Sequence, residues 1–388
     1  MIKNFDYIIS GSGAAGLMLA YRMIGDRFFE DKKILLLDSQ EKDKDDRTWC
    51  FWDSKSGPFE DIVSKNWDYI NFKSDQLDKR FDIRPFSYKH ISSLDFYEKT
   101  LAVIKSSPQI TQQYERVEDI QDQGSFVEVI TNKEKYKATK VINSIPFDQE
   151  FNSSKRYPLL QQHFIGWFVK TSSPQFDDSV ATFMDFSIPQ SGNTRFIYVL
   201  PFAKDMALIE YTLFSKELLS KEEYEEGIKA YLAQLGIEDY EIVRKEGGCI
   251  PMSCYKFWKN NSDNILHIGT AGGWTKASTG YTFRNTIKKT SQLIPFIKSE
   301  KPLRKFVSKN RFWFYDLLFL DYLYANNSKG GMVFSRMFEK NHSSLIFRFL
   351  DEETSFIEEL KIMSSMPTFT FTKLFFKRVW SELVTAKK

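Results

Sequence analysis

The sequence predicts an α/β protein: a Rossmann-type domain, an antiparallel-sheet domain and a helical C-terminal region. Three observations predict it. An apolar run near the N-terminus meets Gly11, Gly13 and Gly16 at G-x-G-x-x-G spacing. Between His163 and Phe214, strand-forming segments recur with turn residues between them. Beyond residue 300, aromatic and aliphatic residues gather in runs too short to span a bilayer but strongly apolar.

Each element follows from its residues. Asp6 to Ser10 reads as a strand, and Leu17 to Ile24 carries helix formers with apolar side chains on one face. Gly11 permits the turn between them, Gly13 lets backbone amides approach a pyrophosphate, and Gly16 lets the helix pack closely on the strand. Ala14 and Ala15 complete this phosphate-facing turn. The helix N-terminus would hold phosphate through free N–H groups and its positive dipole end. A second strand, Lys33 to Leu37, ends in Asp38, about 20 residues past the glycines, where a carboxylate accepts hydrogen bonds from an unphosphorylated adenosine ribose.

The charged loop Glu41 to Asp46 leads into Arg47-Thr48-Trp49-Cys50-Phe51-Trp52. That abrupt change is either a loop re-entering the core or a segment that brings Arg47 and Thr48 beside the cofactor and the aromatics into a ligand cavity. Trp67 to Arg84 is strand-like, and Tyr88 to Lys105 reads as an amphipathic helix, with Phe96 at the margin of its apolar face. Alternation from Tyr114 to Ile142, broken at Asp122-Gln123-Gly124 and Asn132-Lys133, predicts a β-meander over the adenosine half, with Val117 as a backbone contact to adenine. A domain crossover is expected at Phe147 to Tyr157.

Strands at His163 to Lys170, Val180 to Phe186, Arg195 to Leu200 and Met206 to Phe214 predict an antiparallel sheet, a common floor for a ligand cavity. Ser220 and Glu223 form a capping box, opening a helix that presents Tyr224, Ile228, Tyr231, Leu232 and Leu235 on one face before Gly236 ends it. Asn264 to Ile268 then runs into Gly269-Thr270-Ala271-Gly272-Gly273, and Thr279-Gly280-Tyr281-Thr282-Phe283 opens another helix. A second strand-glycine segment suits FAD, whose length needs a clamp along the ribitol and a helix N-terminus near the ring; its alternative is an ordinary turn. Near the C-terminus, Phe369 to Trp380 mixes aromatics with Lys373, Lys377 and Arg378; it either lies in a bilayer interface or docks as a terminal helix. The expected division is 1–150 and 256–300 for two parts of the FAD-binding domain, 151–255 for the substrate domain, and 301–388 for the helical region contacting substrate or membrane.

Composition narrows the partners. The 54 basic and 51 acidic residues leave a net charge of +3, too balanced for nucleic acid to be the main partner. Aromatics make up 16 %, an excess that suits a large hydrophobic ligand, a membrane surface or a bulky core. Cys50, Cys249 and Cys254 have no metal-ligand spacing and the four histidines form no close pair, so reduced thiols and no metal are expected. The N-terminus lacks a signal-peptide pattern and no apolar run reaches spanning length, so the expected location is cytoplasmic, peripheral on the inner membrane face.

Taken in order, Asp6 to Gly16 with Asp38, Asp46 to Trp52, Leu200-Pro201-Phe202 with Ile209-Glu210-Tyr211-Thr212, Glu246-Gly247-Gly248-Cys249-Ile250-Pro251-Met252, and Gly269 to Gly273 leading to Thr279-Gly280-Tyr281 resemble the lycopene cyclase family, in particular its bacterial β-cyclases. The resemblance implies FAD acting in its reduced state, with NAD(P)H as electron source, and cyclisation of the linear ψ-ends of lycopene or another linear-ended carotenoid to β-rings without net redox change. It makes Glu210 the essential acid, in an apolar strand where desolvation would keep it protonated. The plain reading of Glu210 is an edge-strand carboxylate facing solvent. Leu350-Asp351-Glu352-Glu353-Thr354 resembles the acidic motif of the plant enzymes, but Glu210 has the family placement after Leu200-Pro201-Phe202. Thr270 stands where many flavoproteins have Asp, so a contact there would be through the backbone. The alternatives are an FAD-dependent monooxygenase or reductase of an isoprenoid, or a carotenoid-binding flavoprotein without catalysis.

Overall fold

The computed structural model describes residues 3–146, 156–307 and 310–386. The expected crossover lies outside the described residues as far as Lys155.

β1 (Lys3–Ser10) is buried from Tyr7 onward and runs through the glycine turn into α1 (Ala14–Ile24). β2 (Ile34–Asp38) pairs with it in parallel and is buried along its whole length, which is why Ile34-Leu35-Leu36-Leu37 is a continuous apolar run. The chain then leaves this sheet for β3 (Thr48–Asp53), β4 (Lys65–Trp67), β5 (Tyr69–Ser74), β6 (Leu77–Asp82) and β7 (Ser87–Ser92). β3, β7 and β4 make a small antiparallel sheet. α2 (Ser93–Ser106) leads back to β8 (Ile110–Tyr114) beside β2, and β9 (Val117–Asp122), β10 (Val127–Thr131) and β11 (Lys135–Asn143) form the meander, with β11 parallel to β1.

The second large sheet takes β12 (Leu159–Thr171), β13 (Val180–Asp185), β14 (Thr194–Ala203) and β15 (Met206–Ser215), then, after α3 (Lys221–Gln234), β16 (Tyr240–Ser253). Its order is β16-β12-β15-β14-β13-β5-β6, antiparallel except where β13 meets β5. The chain returns to the first sheet through β17 (Ile265–His267), parallel to β11, and α4 (Phe283–Lys298) packs on α1. α5 (Arg311–Ala325), α6 (Gly330–Lys340), α7 (Ser343–Leu350), α8 (Phe356–Ser364) and α9 (Thr368–Ala386) complete the helical C-terminal region. One core lies under the Rossmann-type sheet, and the largest joins the second sheet to α5, α6 and α7.

Three expectations change. Tyr88 to Ser92 is strand β7, the helix begins at Ser93, and Phe96 is fully buried among Trp49, Phe59 and Phe283 instead of marginal. Ser92 caps that helix by accepting from the Asp95 amide, a local signal that apolar periodicity alone does not register. On α3 the capping box forms as expected, but Leu235 falls past the last turn and is 42 % exposed. Residues 69–82, within the first expected segment, supply two strands to the second sheet.

Candidate active site

The glycine turn shows why each glycine is there. Gly11 has φ +93°, and a Cβ on Gly16 would lie 1.9 Å from the Gly11 carbonyl oxygen. Gly13 has no heavy atom within 4 Å of a Cβ position, so that side is open. It is also the N-cap of α1 and gives no side-chain cap, leaving first-turn amides free for an anionic ligand. The second glycine segment abuts the first: a Cβ on Gly269 would lie 3.0 Å from that of Ala15. α4 likewise starts at Thr282 without a side-chain cap.

These pieces converge. Gly13, Ala14, Ala15, Arg47, Thr48, Gly269, Thr270, Gly280, Tyr281, Thr282 and Glu210 all line one cavity of about 480 Å³. Two helix N-termini without side-chain caps at one cavity, with glycines in both turns beside it, fit a dinucleotide whose pyrophosphate meets one helix and whose ring end meets the other. Gly11 and Gly16 shape the turn without lining the cavity. Asp38 also stands back: its carboxylate accepts from the Ser12 amide at 2.6 Å and the Ser12 hydroxyl at 2.8 Å, bracing the turn. Val117 lies outside the lining, its side chain buried under the meander. In the Arg47 to Trp52 stretch both readings hold in part, since Trp49 and Cys50 line the cavity while Phe51 and Trp52 are buried in the cores.

The second sheet forms the opposite wall. β15 is an interior strand, so Glu210 is not an edge carboxylate, and it is only 9 % exposed. Cross-strand register puts Tyr198, Glu210, Gly166 and Glu246 in one row across β14, β15, β12 and β16. Gly166 leaves the gap: a Cβ there would sit 3.5 Å from the Glu210 Cβ and 3.3 Å from the Glu246 Cγ. Burial first, then the neighbouring charge of Glu246, push the Glu210 carboxyl up to about 8, against the Thr212 hydroxyl that donates to it at 2.6 Å. Burial also raises Glu246, opposed by the Thr48 hydroxyl at 2.5 Å and the cations Arg244 and Arg47. The Thr48 hydroxyl is therefore committed to Glu246. Tyr281 places its hydroxyl 3.5 Å from those of Tyr88 and Tyr198.

Sequence reasoning missed Glu246 and Gly166 as site residues. The signal for Glu246 was the Glu246-Gly247-Gly248 run, yet its neighbours in Tyr240 to Ser253 are charged, so the strand does not advertise a buried face. A second cavity, of about 450 Å³, lies among the C-terminal helices, lined chiefly by Leu318, Phe319, Phe334, Met337, Phe349, Met363, Met366 and Phe371, with Leu360, Phe375 and Phe376 where it opens. Thr279 lines both cavities, and a void of about 20 Å³ bounded by Tyr198, Thr279, Tyr281, Phe334 and Met337 lies between them. The later acidic run is engaged elsewhere: Asp351 pairs with Arg284 at 2.5 Å and Glu352 with Lys276 at 3.3 Å.

Comparison with known proteins agrees with this architecture. Residues 6–375 match the family described as lycopene cyclase protein, and the chain belongs to that family. It is 24 % identical over 287 residues to a lycopene beta-cyclase of Paracoccus sp. (strain N81106 / MBIC 01143), covering 71 % of this chain and 70 % of the relative. Among solved structures, a geranylgeranyl bacteriochlorophyll reductase-like protein from Thermoplasma acidophilum aligns with a TM-score of 0.62 at 11 % identity, over 96 % of this chain and 99 % of the other. The halogenase PltM in complex with phloroglucinol and FAD aligns with a TM-score of 0.57 at 13 % identity, over 90 % and 82 %. The shared fold is the Rossmann-type flavoprotein fold.

Proposed function

We propose that this member of the lycopene cyclase family binds FAD and cyclises the ψ-ends of lycopene or a similar linear-ended carotenoid to β-rings, with no net redox change. The observation that carries the reading is Glu210: an interior-strand carboxyl, buried, held in its protonated form and facing the cavity that the two glycine segments line. A hydrocarbon offers no group to attack except its double bonds, so the first step needs a strong proton donor in a dry site, which a buried neutral carboxyl provides.

Gly13, Ala14, Ala15 and the α1 N-terminus would hold the pyrophosphate, and Gly269, Thr270, Gly280, Tyr281 and Thr282 the ribitol and ring end. Reduced FAD, with NAD(P)H as electron source, supplies electron density that stabilises positive charge on a nearby substrate. The chain's own residues do the rest. Glu210 delivers its proton to the terminal C1=C2 bond at C2; the C5=C6 pair closes the C1–C6 bond; loss of the C6 proton restores a C5=C6 alkene. The aromatic walls from Tyr88, Tyr198, Phe164 and Tyr281 exclude water that would otherwise trap the cation.

The remainder of a long polyene would lie in the apolar cavity beyond Thr279. No helix among the described residues is long and apolar enough to cross a membrane. On α9, Phe369, Phe376 and Trp380 share one face at 85, 66 and 72 % exposure, and Phe356, Ile357 and Leu360 are exposed on α8 beside the cavity mouth. With Lys373 and Lys377 exposed nearby, this surface suits peripheral attachment to the cytoplasmic face of the membrane in which a carotenoid dissolves. The test is to incubate the protein with FAD, a reductant and liposomes carrying lycopene. β-ringed products of unchanged mass are expected; oxygenated or hydrogenated pigment, or unchanged lycopene, would overturn the reading.

A further inference from the structure

We infer that Glu246 is the proton-accepting partner of Glu210: the two carboxyls form a pair across Gly166 in which Glu210 supplies the proton that opens the reaction and Glu246 takes the proton that ends it. This rests on the cyclase reading above and names a residue for the step that reading leaves unassigned.

Geometry carries it. Glu210 and Glu246 stand on the two strands that flank β12, both paired with Gly166, so their α-carbons are two strand spacings apart, about 10 Å. Same-row residues of neighbouring strands project to the same face. The Cβ position of Gly166 touches both side chains, so they lean toward each other over a residue with no side chain of its own. Both line the same cavity.

Their environments separate their roles. Glu210 accepts only the Thr212 hydroxyl, and no ion pair reaches it among the described residues. Glu246 has Arg244 at 3.6 Å and receives the Thr48 hydroxyl on Oε2; Arg244 also pairs with Asp45. The Glu246 Oε1 is buried with no hydrogen-bond partner. Of two buried carboxyls the one beside a cation ionises first, and a buried oxygen without a hydrogen-bond partner keeps a lone pair free to take a proton. Two carboxyls in different surroundings divide acid from base in this way.

The proton count closes. Glu210 loses its proton to C2 and becomes a carboxylate; the C6 proton passes to the Glu246 carboxylate as the C6–H electron pair forms the ring alkene; the proton then crosses the pair back to Glu210. No proton or electron is gained or lost, as an isomerisation requires. The other titratable and charged groups facing the pair are Tyr198 from β14, Cys50 and Arg47 from β3 and the loop before it, Tyr88 from β7, Tyr281 from the loop before α4, and Arg244 from β16 itself.

The experiment compares Glu246→Gln, Glu246→Asp and Thr48→Val with the unmodified protein, each loaded with reduced FAD and given lycopene liposomes. Flavin absorbance reports folding and cofactor binding. Ring formation is expected to fall about 100-fold or more in Glu246→Gln, to recover at least roughly tenfold over Gln in Glu246→Asp, and to fall about tenfold in Thr48→Val. Alongside, the infrared carbonyl band of protonated Glu210, assigned by its loss in Glu210→Gln, is titrated; its midpoint should move to lower pH once Glu246 carries no charge. Glu246→Gln within about twofold of the unmodified rate, or a Glu210 midpoint that does not move, overturns the pair. If the unmodified protein forms no rings, the cyclase reading fails, and the infrared midpoint alone then decides whether the two carboxyls are coupled.

Discussion

The two cavities that share Thr279 are nearly equal in volume, about 480 and 450 Å³, but the first carries charged and polar groups that the second largely lacks. The first is assembled from glycine turns, three carboxyls (Asp46, Glu210 and Glu246), Lys42 and Arg47, and aromatic side chains drawn from both sheets and the loops between. The second is walled chiefly by Phe, Leu and Met from the C-terminal helices, with Ser278, Thr279 and Asp316 at its inner end. A helix side chain can offer apolar area cheaply, whereas aiming several polar groups at one point takes strands and turns whose positions are fixed by cross-strand pairing. On the proposed function the difference is a division of labour: one cavity acts on an end of the substrate and the other holds its length.

The most damaging break should be Glu210→Gln, which keeps shape but removes the proton. We expect ring formation to fall by about 1,000-fold with flavin absorbance unchanged; full activity in pigment analysis would refute the assignment. Next comes Gly16→Val in the polar cavity's turn, where even a Cβ would lie 1.9 Å from the Gly11 carbonyl oxygen. FAD affinity in a fluorescence titration should drop roughly 100-fold; retention of normal affinity would show that the turn does not hold the cofactor.

Titration sharpens the contrast without a mutation. Glu210, raised to about 8, must be protonated to act, so the rate should fall about tenfold per pH unit above that value, and it should fall again at acid pH where Glu246, the proton acceptor, becomes protonated. Stability follows the same group. With a folded value above the unfolded 4.5, the folded state binds the proton more tightly, so stability present below pH 4.5 is lost progressively up to about pH 8. Glu210→Gln should therefore melt higher than the unmodified protein at pH 8, and a lower melting temperature would contradict that linkage.

The apolar cavity should respond differently. Met337 lines both it and the narrow void toward Tyr281, so Met337→Trp should slow turnover of a full-length carotenoid about tenfold while leaving flavin binding intact. Unaltered turnover would mean that the substrate does not pass this way. The smallest effect is reserved for the surface: Phe376→Ser with Trp380→Ser should weaken liposome co-sedimentation roughly several-fold, since both side chains are largely exposed. Unchanged sedimentation would move the attachment face elsewhere.

Much of the fold was legible because it is local. The run into Gly11, Gly13 and Gly16, the buried β2 and the Ser220 to Glu223 capping box each declare themselves within a dozen residues, through periodicity, turn chemistry and cap geometry. Where two local signals competed, as at Ser92, the cap prevailed over apolar spacing. The meander and late strand β17 also lie where their patterns put them.

The glycine spacing of the first turn, and the resemblance that singles out Glu210, were legible in the sequence itself, since turn chemistry and motif order are local. What only the tertiary structure decided is company. Residues 69–82 cross to the second sheet, Asp38 turns back to brace Ser12, and Glu246 comes to lie across Gly166 from Glu210. The reason is physical: strand order and register are settled by long-range pairing, and no pattern within a strand states which strand will be beside it.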